Sequence, residues 1–327
     1  AEGIDCFGVA GDRGDVAMVG YGAARYALAS GNCNEAEKLW PLIEWCLEYC
    51  HRQLNADGVV KSDSDELENR FPAGKANLCT SSLYYDALVS AAYLGKALKK
   101  EHKQIKSYQD RAAELYKNID AYFARNVEGY DTYRYYDGNT VLRSWICIPL
   151  TMGIYDQAKG TVEALFSDKL WMENGLLTQS GTSTYWDRST LYAFRGAYSC
   201  GARDIATEYL DKYSATRLLG DHVPYAVEAW PEGNQRHLST ESALYCRIMT
   251  EGLFGIRPIA LDAFMMTPQL PESWNTMSLK RICAFGSIFD IEVKRDKDDK
   301  LLVLIKKDHK IVKRSKITNG KPIEVRI

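Results

Sequence analysis

The sequence predicts a mainly α-helical fold that is built from helical hairpins and followed by a small antiparallel β-segment. Up to about residue 256, apolar residues recur three and four positions apart, which is the spacing of amphipathic helices. The helical segments alternate short turns with long loops, which indicates a solenoid or toroid with one functional face. From about residue 277, apolar and charged residues alternate instead, which favours antiparallel strands.

Local signals bound the predicted elements. Gly31, Gly201 and Gly255 follow the last apolar residues of three helical patterns, where glycine commonly ends a helix. Asn34, with Glu37 three residues later, predicts the N-cap of the second helix. The predicted helices are 16–30, 39–50, 81–99, 105–125, 143–154, 157–166, 189–199, 202–213 and 240–254, and the predicted strands are 287–295, 300–307 and 323–327. We expect a helical domain over residues 1–262 and a β-sandwich-like segment over residues 263–327.

Composition excludes several classes of function. The 327 residues include 41 Lys plus Arg and 43 Asp plus Glu, so the chain offers no basic surface for nucleic acid. Its apolar stretches are far shorter than a membrane span. The five histidines are scattered and no CxxC occurs among the nine cysteines, so we expect no metal site and no cofactor. The chain opens on loop material, which favours a processed or truncated N-terminus and a periplasmic or secreted protein over a cytoplasmic one.

An acidic loop at residues 61–77 is the first candidate for chemistry. It carries Asp63, Asp65, Glu66 and Glu68, with Arg70 close behind. Crowded carboxylates raise one another's pKa, and a general acid stays protonated near neutral pH in this way. A calcium loop and a simple solvated loop are the alternatives. The Gly-rich segment 11–15 is also charged, and a charged entry into a helix is its ordinary explanation.

Aromatic residues accompany charged ones in two further loops. The chain has 21 tyrosines and 7 tryptophans, whose flat faces and polar edges suit stacking against sugar rings. Trp186, Asp187 and Arg188 stand in a row where a helix is predicted to begin, although a simple helix cap would use the same residues. In the loop 222–241, Glu228 is set between apolar neighbours, which invites a shifted pKa.

The order of these features resembles the six-hairpin (α/α)6 glycoside hydrolases, and in particular bacterial α-L-rhamnosidase-like members. The matching residues are Glu228-Ala229-Trp230 in the late loop and Gly255-Ile256-Arg257-Pro258 after the last helix, with a β-domain following. The resemblance implies an (α/α)6 toroid in which Glu228 is the general base of an inverting hydrolase. The predicted helices are too few for twelve, so N-terminal helices and a preceding domain of the same polypeptide are expected outside this sequence.

The resemblance and the loops together assign roles to individual residues. Glu66 or Asp65 would be the general acid, with Asp12 in reserve, and an oligosaccharide or polysaccharide would be the substrate. The expected substrate-binding residues are Arg70, Trp145, Trp186, Asp187, Arg188, Trp230, Glu232, Asn234 and His237. Two alternatives remain open: a polysaccharide lyase that uses Tyr185 or Tyr225 with His237, and a non-catalytic glycan-binding protein.

Overall fold

A computed structural model describes residues 13–62, 71–218, 229–230 and 239–327. Within these ranges the chain is mainly helical up to residue 253 and mainly β-stranded after it. The helices are α1 (Arg13–Ser30), α2 (Cys33–Arg52), α3 (Leu78–Ala97), α4 (His102–Phe123), α5 (Ile148–Met152, preceded by a 3-10 turn at Ser144–Cys147), α6 (Ala158–Leu165), α7 (Asp187–Ser199), α8 (Arg203–Tyr213, continued by a π-turn at Ser214–Leu218) and α9 (Ser239–Arg247, continued by a π-turn at Ile248–Leu253).

The strands form short hairpins between helices and two sheets at the end of the chain. The short strands are β1 (Ala124–Val127), β2 (Tyr130–Tyr133), β3 (Trp171–Met172), β4 (Gly175–Leu176), β5 (Tyr185–Trp186) and β6 (Ala229–Trp230). The later strands are β7 (Ile256–Ala260), β8 (Ala263–Met266), β9 (Thr276–Ala284), β10 (Ser287–Arg295), β11 (Leu301–Lys307), β12 (Lys310–Ile317) and β13 (Ile323–Arg326). They pair antiparallel in the orders β12-β11-β10-β9 and β13-β8-β7.

Caps at the helix starts fix the hairpin boundaries. The predicted N-cap at Asn34 is wrong, because Asn32 holds that position and its side chain accepts from the backbone N–H groups of Asn34 and Glu35. Asn32 and Asn34 are both suitable N-cap residues, and α2 begins after the earlier one. Asn77 caps α3 by accepting from Thr80 N at 2.8 Å.

Helix α7 runs parallel to α5 and the 3-10 turn before it. Cys147 Sγ lies 3.7 Å from the carbonyl oxygen of Ser189, and Thr151 Oγ1 lies 3.5 Å from that of Tyr192. Both pairs advance together along the two helices, as parallel packing requires. The C-terminal ends of α5 and α7 therefore lie on the same side of the molecule.

The last helix runs parallel to α7 in the same sense. Arg188, at the start of α7, pairs with Glu241 at the start of α9 at 2.8 Å. Near the other ends, Arg195 lies 3.2 Å from Glu251 in the π-turn that continues α9. Helices α5, α7 and α9 thus begin at one end of the helical part and finish at the other.

Asp86 of α3 is fully buried and bonded to two arginines. Arg25 of α1 donates from Nε to Oδ2 at 2.9 Å and from Nη2 to Oδ1 at 3.2 Å, and Arg257 of β7 also donates to Oδ1. Burial opposes ionisation, but Arg25 and Arg257 outweigh it and hold the pKa of Asp86 below its ordinary value. One carboxylate therefore joins α1, α3 and β7.

Glu251 forms a second ionic centre next to the first. Arg25 Nη1 and Arg247 Nε lie 2.6 Å and 2.5 Å from its oxygens, with Arg195 slightly further away. Burial opposes ionisation here too, but Arg195, Arg247 and Arg25 hold the pKa of Glu251 well below its ordinary value. The hydroxyl of Tyr21 on α1 accepts from Arg195 at 2.6 Å and also from Arg247. These contacts connect α1 with α7 and the end of α9.

The turn between β9 and β10 closes the end of α1. Phe285 N donates to Ala29 O at 2.6 Å and Gly286 N donates to Ser30 O at 3.2 Å, so two terminal carbonyls of the helix gain partners. Gly31 follows with φ of +68°, and a Cβ at this position would lie 2.1 Å from Gly286 N. Only glycine allows the sheet to approach so closely.

The predicted mainly helical fold with a C-terminal antiparallel sheet region is confirmed, and the sheet region is larger than expected because β7, β8, β9 and β12 were not predicted. Among the described residues, no helix is long and apolar enough to cross a membrane. The division at residue 262 stays a prediction.

Replacing Asp86 tests the buried ionic centre. Asp86→Asn removes a fully buried charge that two partly buried arginines share, so we expect the free energy of unfolding to fall by about 3–5 kcal/mol at neutral pH. The folded-state pKa is depressed, so this contribution is complete above the ordinary value of 3.8 and is lost as pH falls through the folded-state pKa. Urea unfolding at a series of pH values should show the two proteins converging in acid.

Asp110→Asn is the matched control. Asp110 is 61% exposed and pairs with Lys106 one helical turn away, so its loss should cost less than about 0.5 kcal/mol. Equal destabilisation by the two substitutions, or a gap that persists in acid, would contradict the account of Asp86.

Candidate active site

A two-residue strand pair brings two of the candidate loops together. Strand β5 pairs with β6 so that Tyr185 lies opposite Trp230 and Trp186 lies opposite Ala229. Glu228, the predicted base, immediately precedes Ala229 in the chain but lies outside the described residues. The pairing joins the late loop to the start of α7, where Asp187 follows Trp186.

Asp187 occupies the first turn of α7 and forms a buried ion pair. Arg217 Nη2 lies 2.9 Å from its Oδ2, and the two side chains are 4% and 1% exposed. A carboxylate in the first turn also meets the positive end of the helix dipole. Burial raises the pKa of nearby Tyr213, and the charge of Asp187 raises it further. Arg217 therefore holds Asp187 in place directly after strand β5.

A second buried carboxylate, Glu241, ties the start of α9 to the start of α7. Arg188 Nε donates to its Oε1 at 2.8 Å, while the guanidinium lies 5.2 Å from the ring centre of Trp186. Glu241 is fully buried, and its Oε2 has no hydrogen-bond partner in the described part of the chain. The sequence analysis gave Glu241 no role in the site, although an acidic residue in a first helical turn is a recognisable local signal.

The two described tryptophans of the candidate set pack against each other. The rings of Trp145 and Trp186 meet edge-on with centroids 5.0 Å apart, and Trp145 meets Tyr192 in the same way at 5.6 Å. Trp145 is 1% exposed and Trp186 is 3% exposed. The structure thus gives both indoles a packing role beneath the loops, and their stacking on a sugar stays a prediction.

Arg143, which the sequence analysis did not single out, connects the flanks of two candidate loops. Its fully buried guanidinium lies between the rings of Phe71 and Tyr135, at 4.9 Å and 4.8 Å from their centres, and Nη1 donates to Pro72 O at 3.1 Å. Arg143 also forms a β-bridge with Gln179. The end of the acidic loop and the loop before α7 therefore share one anchor.

The remaining candidates fall outside the part of the chain that the structure describes. These are Asp12, Asp65, Glu66, Arg70, Glu228, Glu232, Asn234 and His237, and for Trp230 the backbone alone is described. Their assignments stay predictions. Within the described ranges, no group of three or more His, Cys, Asp or Glu side chains could hold a metal ion.

Comparisons with known proteins support the fold. No protein-family model and no curated protein matches the chain. A solved sialidase is 14% identical and superposes with a TM-score of 0.70, covering 93% of this chain and 32% of its own. A rhamnosidase of Bacillus sp. GL1 is 14% identical with a TM-score of 0.56, covering 86% of this chain and 29% of its own.

A third solved structure gives the same result. An α-L-rhamnosidase from Dictyoglumus thermophilum is 13% identical with a TM-score of 0.51, covering 90% of this chain and 36% of its own. The chain thus spans about a third of the length of these proteins. The predicted resemblance to six-hairpin glycosidases is confirmed as a likeness of fold, which leaves the reaction and the substrate to the chemistry of the site.

A double-mutant cycle on Asp187 and Arg217 measures how firmly the start of α7 is held. Removing either partner leaves a buried charge, so Asp187→Asn or Arg217→Gln should each cost about 3–5 kcal/mol of unfolding free energy. The double variant should cost less than the sum, with a coupling of about 1–3 kcal/mol.

The exposed pair of Lys212 and Glu208 on α8 is the reference cycle. Its members lie 2.6 Å apart but are 58% and 61% exposed, so their coupling should be about 0.3–0.5 kcal/mol. Urea unfolding gives all the values. Additive effects at Asp187 and Arg217 would show that the pair does not hold the helix start.

Proposed function

We propose that this chain hydrolyses glycosidic bonds at the end of the helical part where α5, α7 and α9 begin, and that the odd-numbered helices form the wall of an (α/α)6 toroid. The observation that carries the proposal is the pairing of β5 with β6, which brings the segment next to Glu228 against the start of α7. The fold likeness to solved glycosidases supports it.

The proposed reaction needs two carboxyl groups with different roles. Glu228 activates a water molecule, and Glu66 or Asp65 protonates the leaving oxygen, so the anomeric configuration inverts. Inverting enzymes separate these groups by about 6.5–9.5 Å to leave room for the water. The described residues on the C-terminal side of both groups support this assignment, because Arg143 holds Pro72 and the β5–β6 pair holds Ala229.

Two of the proposed substrate-binding residues are held in place by ion pairs. Asp187 and Arg188 are already fixed by Arg217 and Glu241, so neither must be ordered when a substrate binds. Such fixed polar groups suit hydrogen bonding to sugar hydroxyls, because preorganisation lowers the entropy lost on binding. Arg70, Trp230, Glu232, Asn234 and His237 complete the proposed substrate-binding set from the two loops.

Three groups of substrates come first in a screen. The sequence resemblance and the solved rhamnosidases favour α-L-rhamnosides, while the likeness to a solved sialidase adds sialosides. The arginines and histidine among the proposed binding residues also suit glycans that contain uronic acids.

Glu228→Gln tests the proposed base. A positioned general base typically contributes a factor of about 10²–10⁴, so kcat/KM on the best glycoside of the panel should fall about a hundredfold or more. Proton NMR of the first product formed by the unaltered protein should show the inverted anomer.

Glu208→Gln is the matched control, because Glu208 is exposed on α8 and should leave activity unchanged. Activity of Glu228→Gln within about tenfold of the original would remove Glu228 from the base role. A product that absorbs in the ultraviolet through a new carbon–carbon double bond would identify a lyase instead.

Leaving-group dependence identifies the acid. A nitrophenyl group departs without protonation, whereas a sugar alkoxide does not. The variant that removes the acid, Glu66→Gln or Asp65→Asn, should lose about a hundredfold or more on an oligosaccharide but much less on a nitrophenyl glycoside. If both variants lose the same factor on the two substrates, neither residue is the acid.

A further inference from the structure

A cavity of about 480 Å³ lies at the opposite end of the helical part from the proposed active site. Its lining includes three glycines near the ends of α5, α7 and α9. Gly153 directly follows α5, Gly201 lies two residues after the end of α7, and Gly255 lies two residues after the π-turn that continues α9. Residues 319–322, between β12 and β13, close another side. The cavity therefore lies where α5, α7 and α9 finish, and the end where they begin is the one that carries the candidate loops.

Positive charge dominates this cavity. Its described lining has five cationic side chains and a single carboxylate, Glu251. The cationic residues are Arg25, Arg195, Arg203, Arg257 and Lys321. Asp86 neutralises part of this charge from behind, through Arg25 and Arg257. Asp86 and Glu251 together pair with four arginines, one of which, Arg247, lies outside the lining. Four positive charges therefore face two negative ones, and Arg203 and Lys321 add two more positive charges.

Two buried side chains of the lining have hydrogen-bonding atoms without partners. Arg195 is 2% exposed and its Nη1 has no partner among the described residues, although Nη2 is bonded to Tyr21. Gln269 is 3% exposed and its Oε1 likewise has no partner there. Buried polar groups are normally satisfied, and an exception is a place where a ligand can supply the missing bond.

Arg195 Nη1 and Gln269 Oε1 require different hydrogen-bond partners. A guanidinium N–H requires an acceptor, and an oxyanion is the strongest one because the bond is charge-assisted. The oxygen of Gln269 requires a donor, which a hydroxyl group supplies. Glycines border both groups: a Cβ at Gly153 would lie 3.4 Å from Arg257 Nη1, and a Cβ at Gly320 would lie 3.4 Å from Gln269 Oε1.

We propose that this cavity is a second ligand site, separate from the proposed active site, and that it binds a small hydroxylated carboxylate such as a sugar acid. The carboxylate lies among Arg195, Arg203, Arg257 and Lys321, and a hydroxyl group donates to Gln269. Ligands of this size fit a cavity of a few hundred cubic ångströms. The inference does not depend on whether the chain hydrolyses glycosides.

Isothermal titration of the whole chain with three probes tests the proposal. Glucuronate carries both a carboxylate and hydroxyls, inorganic phosphate carries charge without the sugar hydroxyls, and glucose carries hydroxyls without charge. We expect saturable binding of glucuronate, weaker binding of phosphate, and no measurable binding of glucose. Glucose binding as tightly as glucuronate would overturn the proposal, and so would the absence of saturable binding by glucuronate.

The variant Arg203→Gln with Lys321→Gln locates the binding. Arg203 is 24% exposed and its nearest carboxylate, Asp204, lies 3.7 Å away, while Lys321 is exposed, so neither change breaks a buried pair. Two charge-assisted contacts are lost, and the dissociation constant for glucuronate should rise about tenfold or more.

Lys313→Gln with Arg314→Gln is the matched control, since both residues are exposed on β12 and carry the same charges. Its affinity for glucuronate should be unchanged. If the Arg203/Lys321 variant binds within about twofold of the control, glucuronate is bound elsewhere and the proposal fails. Lys321→Gln alone, with an intermediate loss expected, serves if circular dichroism shows that the double variant is unfolded.

Discussion

The described fold depends on two carboxylates, one fully buried and one largely buried, that are shared by several arginines. Asp86 and Glu251 are costly to bury, and a single counter-ion rarely repays the loss of hydration. Arg25 contacts both carboxylates, so one side chain of α1 reaches α3 and the end of α9 together. Removing Asp86 takes the carboxylate from Arg257, and removing Glu251 takes it from Arg195 and Arg247, so the arrangement constrains which helices can be neighbours.

Parallel helices give the two ends of the molecule opposite electrostatic character. The first turns of α7 and α9 present partial positive charge, and the acidic residues Asp187 and Glu241 lie there. The last turns present partial negative charge, and the arginine-lined cavity lies at that end. The helix dipoles thus account for acidic residues at one end and for arginines at the other, and the anion proposed for the cavity would be held by the arginines and not by the dipoles.

Sequence predicted the helices well, whereas the buried contacts around the candidate loops were not predicted. Helical periodicity placed 189–199 within two residues of α7, because an apolar stripe is a local property. Strand β12 was missed because six of its eight residues are exposed and four are charged, so no apolar alternation shows. The role of Glu241 was missed because its partner, Arg188, is 53 residues away. Arg143 was missed for the same reason, since it holds Pro72 at a separation of 71 residues. Partners at such distances leave no local pattern.

The closure of α1 by the β9–β10 turn has a consequence for the order of folding. The carbonyls of Ala29 and Ser30 receive their donors from Phe285 and Gly286, and Arg25 reaches its partner across 226 residues. The ribosome synthesises α1 long before Glu251, Phe285 and Gly286, which provide its partners. Contacts so distant in sequence carry a large loop-closure entropy and slow the final step of folding. Until residues 251–286 have been synthesised, two terminal carbonyls of α1 lack their backbone donors and Arg25 lacks its distant carboxylate.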